Sequence, residues 1–287
     1  MTEIHHFTYG WFNPVVAFLM AFLGSLLGLV CTARARESRT TGRRARWLII
    51  AAVAIGGTGI WLMHFMAMLG FEVPASPLRY DLTMTLVSMA LGVVPVGIGL
   101  FLVGWGDKAS ASRILGGGLF TGLGVLGMHY TGMWGVRLGG VLEFDPALVL
   151  ASAVVAIVAA TAALWFATTV KGWGPILGAA TTMGVAVCGM HYTGMAAVSV
   201  KLNPTPGPVE GITPFTMIVP ITLLAAAALI AMAFSALQTM TAEEFDRDGV
   251  PSGPLVPGHG ADTAWTLRQV TLAAAMSAPT AEHSRVS

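Results

Sequence analysis

Seven apolar runs, each about twenty residues or longer, leave this chain few architectures. They cover about residues 12–32, 47–71, 82–104, 114–136, 146–170, 175–199 and 215–238. A run of that length crosses the hydrocarbon core as a helix, because a helix satisfies its own backbone polar groups where no water can. With 55% hydrophobic and only 10% charged residues, the chain is too apolar for a water-soluble domain, and it has no basic patch for nucleic acid. The expected fold is all-α: a polytopic membrane protein with seven transmembrane helices.

Lys and Arg set the expected orientation. The connection after the first run, RARESRTTGRRAR, holds six Arg; Lys108, Arg113, Lys171, Arg247, Arg268 and Arg285 fall on the same side. Arg79, Arg137 and Lys201 fall on the other. Basic residues favour the cytoplasmic face, so residues 1–11 are expected outside, 12–240 form the membrane domain, and 241–287 form a cytoplasmic tail. That tail is polar and rich in Gly and Pro and is expected to be mostly disordered. The start, MTEIHHFTYGWFNP, has neither a basic n-region nor a small-residue cleavage site, so the first run reads as a retained span and not a removable signal.

A short phrase recurs in the second, fourth and sixth runs: WLMHFMAM, LGMHYTGM and CGMHYTGM. Its histidines are His64, His129 and His191, and Met68, Met133 and Met195 stand four residues later, on the same helix face. All three histidines fall four to five residues past the centres of their spans, roughly 6–8 Å outside the midplane at a helical rise of 1.5 Å. Equal depth suggests a shared site. Gly57, Gly122 and Gly184 each precede their histidine by seven residues, and small residues let helices approach closely. The repeating unit is then a helix pair of about 62–65 residues, used three times, with a seventh helix added.

Neutral imidazole and thioether together form a soft to borderline ligand set, which suits copper better than zinc. His64, His129 and His191, with Met63, Met66, Met68, Met128, Met133, Met190 and Met195, exceed the needs of one ion, so one or two copper ions are expected. Cys188 lies three residues before His191 and offers a further sulfur; Cys31 lies at another depth, so the two do not pair. Tyr130, Thr131, Tyr192 and Thr193 follow their histidines and could orient a ligating imidazole. They could equally bond their own helix or the interface. His5 and His6 could reach the mouth of the bundle or simply be solvated. A lone membrane histidine more often bonds a neighbouring helix, and a lone methionine more often fills a core. Threefold recurrence at one depth favours ligand binding. No Walker motif, nucleophile elbow or kinase signature is present, and nothing reads as an enzyme.

Over about residues 6–240, the three motif copies and the stretch RYDLTMTLVS resemble the MHYT domain, a bacterial seven-helix membrane sensor family. The resemblance implies copper held by Met63, His64, Met68, Met128, His129, Met133, Met190, His191 and Met195. It also implies sensing of a diatomic gas, whether oxygen, carbon monoxide or nitric oxide, or of redox state. Family members often append a signalling enzyme after the last helix, where this sequence has only its tail, so output is expected through a separate cytoplasmic partner or through the tail. Two alternatives remain at this point: copper uptake or delivery, and a structural bundle without metal.

Overall fold

A computed structural model describes residue 5, residues 8–105, 109–205 and 207–214, and scattered positions up to residue 234. The chain divides into two units, Met1–Ser235 and Ala236–Ser287, and every described residue belongs to the first. Among the described residues, six helices are long and apolar enough to cross a membrane: α1 (Phe12–Glu37), α2 (Thr41–Met68), α3 (Leu82–Gly104), α4 (Ala111–Trp134), α5 (Pro146–Thr169) and α6 (Trp173–Ala196). The protein is thus a multi-pass membrane protein. The expected seventh span, 215–238, and the tail after it fall largely outside the described residues, as does His6.

Local chemistry explains most helix starts. Thr40, Asp81, Ser110 and Asp145 each accept a backbone N–H from the first turn of the helix that follows. Such caps satisfy donors that helix geometry leaves over, at about 1 kcal/mol each. The Arg-rich connection is mostly helical, since α1 runs to Glu37 and α2 begins at Thr41. At that end Arg36 donates to the carbonyls of Ala167 and Val170, tying α1 to the last turn of α5.

The six helices form a closed ring in which each packs on its sequence neighbours and α6 returns to α1. The motif helices α2, α4 and α6 therefore alternate with the others. Close approach depends on glycine. A Cβ on Gly122 would lie 2.6 Å from Ile157 Cα of α5, and one on Gly184 would lie 3.2 Å from the Phe18 ring of α1.

The first copy departs from this pattern. Gly57 would meet only side-chain atoms at 3.8 Å, whereas a Cβ on Gly56, one residue earlier, would lie 2.8 Å from Val93 Cα of α3. The reason is that Val53–Leu62, in the middle of α2, is π-helical. Its i→i+5 bonding widens each turn and rotates later residues relative to an α-helix, so sequence spacing no longer reports the face.

Four short strands join the loops at the histidine end, which an all-α reading omits. Strand β1 (Arg79–Tyr80) pairs antiparallel with β2 (Val136–Arg137), and β3 (Gly140–Phe144) pairs with β4 (Val198–Leu202). His5 bridges Glu72, and Tyr80 bridges Ile212. The segments that leave the three motif helices are thereby cross-linked by backbone hydrogen bonds above the bundle. Tyr80 is fully buried in this cap against Phe65, and that burial pushes its phenol pKa upward. Asp81 bonds Arg137 at 2.8 Å and the N–H of Met84, and these bonds hold its carboxyl below the usual carboxylate range.

Candidate metal centre

Each motif helix ends within a turn or two of its histidine, so the rigid part of α2, α4 and α6 carries the imidazole inward and the cap holds the helix ends. His64, His129 and His191 are all buried, at 1%, 0% and 1% exposure. Their rings form a near-threefold propeller. Ring centres stand 5.1, 5.0 and 5.2 Å apart, and ring planes cross at 83°, 79° and 87°.

The Nδ1 atoms point to the hub. His64 Nδ1 lies 3.1 Å from His191 Nδ1 and 3.3 Å from His129 Nδ1. A ring nitrogen has either one N–H or one lone pair in its plane, so His64 Nδ1 cannot make two linear hydrogen bonds at once. The outward Nε2 atoms of His64 and His129 are buried and, among the described residues, have no hydrogen-bond partner. Protons on Nε2 leave lone pairs facing one another at the hub and strand buried donors; protons on Nδ1 crowd the hub with N–H groups; a mixture of tautomers lets His64 Nδ1 make one hub bond but leaves the other contact unserved. Each uncompensated group costs about 1–3 kcal/mol, so this cluster is a poor hydrogen-bond network.

The same geometry suits a cation. Two imidazole nitrogens bound to one ion at about 2.0–2.1 Å, at angles of about 90–120°, stand roughly 2.9–3.6 Å apart. Both hub separations fall within that range. Among the described residues, these three histidines are the group of His, Cys, Asp or Glu side chains placed to share an ion, with ligand atoms within 4.8 Å of one another. Cys188 is not part of it and packs instead in a small cluster with Ala17, Ala21, Met63 and Ala67.

The methionines divide by position. Met63, Met68, Met128, Met133, Met190 and Met195 are all buried. Met63 packs against Ala17 and Ala21 of α1, and Met128 lies beside Gly92 of α3, so these two thioethers fill seams between helices. Met128 also belongs to the main core, together with the four others, among them Met68, Met133 and Met195 one turn beyond the histidines.

Two hydroxyls near the motif have their partners away from the hub. Tyr130 packs its ring edge-on to His129 and places its hydroxyl 3.0 Å from Ser152 Oγ of α5. Thr193 Oγ1 donates to Gly189 O in its own helix, the self-bonding alternative left open by its sequence. Tyr192 packs against His191 as Tyr130 does against His129, and the backbone carbonyl of Thr131 accepts from Gly135. His5 is exposed and held at Glu72 by paired backbone bonds.

Two residues that shape the site escape notice in the sequence. Gly132 and Gly194 stand three positions after His129 and His191, and each receives the edge of another copy's imidazole. A Cβ on Gly132 would lie 2.6 Å from His64 Nε2, and one on Gly194 would collide with His129 Nε2. The signal was the G of MHYTG, recurring where the first copy has Ala67.

Fold and site together define a membrane-embedded helix ring with a buried histidine hub. Residues 57–117, 122–180 and 184–249 each match the family described as MHYT, bacterial signalling protein N terminal repeat, with one hub histidine in each match. The chain belongs to the MHYT family. It is 39% identical over 198 residues to the bifunctional diguanylate cyclase/cyclic di-GMP phosphodiesterase MucR of Pseudomonas aeruginosa, covering 67% of this chain and 28% of that protein. It is 32% identical over 209 residues to the cyclic di-GMP phosphodiesterase NbdA of the same organism, covering 71% and 26%. It is also 26% identical over 208 residues to the signaling protein YkoW of Bacillus subtilis, covering 70% and 25%. The chain thus spans about a quarter of the length of these relatives, and the matched region is the signalling repeat rather than an enzyme. No solved structure matches it.

Proposed function

We propose that this protein is a membrane sensor that holds copper at the hub of His64, His129 and His191 and responds to a diatomic gas or to redox state. The observation that supports this reading is that the buried His64 Nδ1 stands 3.1 and 3.3 Å from the Nδ1 atoms of His191 and His129, separations that suit ligands of one ion and that a single ring nitrogen cannot serve with two linear hydrogen bonds. Met68, Met133 and Met195 are the thioethers best placed along the helices to add soft ligands, and a second ion would draw on them. Copper bound there supplies a soft, redox-active position for a diatomic ligand.

The chain's own residues account for the rest. The apolar ring excludes water, Gly132 and Gly194 fix the rings edge-on, and the paired strands bind the helix ends. A change in the spacing demanded at Nδ1 would displace α2, α4 and α6 against one another, and helix shifts of about 1–2 Å are a known means of switching. We place the N-terminus outside and the tail in the cytoplasm, with seven helices built as three pairs plus one. The relatives' names support an output into cyclic di-GMP signalling, through a cytoplasmic partner or through the tail.

Metal analysis of the protein purified in detergent tests the reading. Copper is expected in preference to zinc, and replacing all three histidines with Leu should abolish it while the protein still inserts, because Leu suits a membrane span. Full copper content in that triple variant would rule out the imidazoles as ligands. A reporter fused after Gln238 should prove cytoplasmic.

A further inference from the structure

Beneath the histidine hub lies a largely apolar, partly open cavity of about 40 Å³. Its position follows the repeat. Ile60, Val125 and Val187 each stand four residues before their histidine, and all three line it, so one helical turn separates this layer from the imidazoles. Thr121 and Met183, eight residues before His129 and His191, line the next layer, and Met190 borders the space beside His191. The hydroxyl of Thr121 is spent on Pro95 O, and Ser25 adds one further hydroxyl to a lining that is otherwise apolar.

We infer that this cavity is a binding site for a small apolar gas molecule, coaxial with the hub and one turn from it. At about 10–15 Å³ per water-sized molecule, it has room for about three or four water-sized groups, enough for a diatomic molecule. Apolar cavities in proteins stay dry and take up xenon for want of any better occupant. Dioxygen, carbon monoxide and nitric oxide share xenon's relevant properties, being small, weakly polar and more soluble in lipid than in water. The inference deepens the proposed function and rests on it for its biological meaning, since the site would concentrate gas next to the hub. The cavity itself requires no metal.

Xenon tests it directly. In protein labelled at the methionine methyls, xenon pressure should produce saturable shifts at Met183 and Met190, while lipid-facing Met84 should show only a linear drift. Dioxygen at pressure should broaden the same two resonances. Ala160→Leu fills the cavity and should remove the saturable response; Ala156→Val is a smaller filling substitution should the first fail to fold. Equal responses in the filled variants, or no saturation in the native protein, would overturn the site. Copper content, measured on the same samples, separates the two ideas: copper without saturable xenon binding sinks the cavity alone, and xenon binding without copper sinks the metal alone.

Discussion

The first motif copy differs from the other two in ways that its histidine conceals. His129 and His191 sit on regular α-helices, are followed by Tyr and Thr, and have glycine three positions on. His64 follows a π-helical segment, is followed by Phe65 and Met66, and has Ala67 at the glycine position. Yet its Nδ1 is the atom from which both short hub distances are measured. The lesson is that the repeat preserves the inward imidazole while the packing around it is free to diverge, and that the irregular helix supplies the central member.

The largest expected break in the comparison comes from the glycines that only the second and third copies have. Gly132→Val and Gly194→Val would each drive a side chain into a neighbouring imidazole, and overpacking of this kind costs about 1–3 kcal/mol. Copper retained by purified protein should fall at least tenfold in either variant. Ala67→Gly, which makes the first copy resemble the others, should leave it within about twofold, a difference of about 0.4 kcal/mol at RT near 0.59 kcal/mol.

The helix-seam glycines give the next effect. Gly122→Ala should destabilise the protein by about 1–3 kcal/mol in thermal melts, because its Cβ would meet the backbone of Ile157. Gly57→Ala should be neutral or slightly stabilising, since only two valine methyls lie near it and alanine favours helix by about 1 kcal/mol. Equal losses at the two positions would mean that the π-helical register is wrong.

Tyr130→Phe gives the second copy the ring of the first. It removes the bond to Ser152, whose hydroxyl still donates to Val149 O, so a loss of only about 0.5–1.5 kcal/mol is expected, with copper unchanged.

The smallest effect lies in the cap. The Asp81 carboxyl is held below its usual range by Arg137, so its contribution is fully present above the pKa of an unfolded Asp and is lost as pH falls through the lower folded value. Asp81→Asn should flatten the acid side of the stability profile and shift the melting temperature only slightly, because the pair is partly exposed and screened by solvent.

Much of this was written in local sequence. Six spans were legible to within a few residues at most ends, because their length and apolarity answer to the thickness of a membrane. The common depth of His64, His129 and His191 was legible too, because helical rise converts residue count directly into height. The tertiary structure alone decided which way each ring turned, that Nδ1 and not Nε2 would meet at the hub, and that Gly132 and Gly194 would make room for rings from other helices. It also decided that Met63 and Met128 fill seams, that Gly56 replaces Gly57, and that a cavity lies one turn below the histidines. Depth is a one-dimensional property that a single helix carries by itself. Facing, tautomer and empty space depend on how six helices rotate against one another, and a π-helical turn in one of them is enough to shift every face that follows.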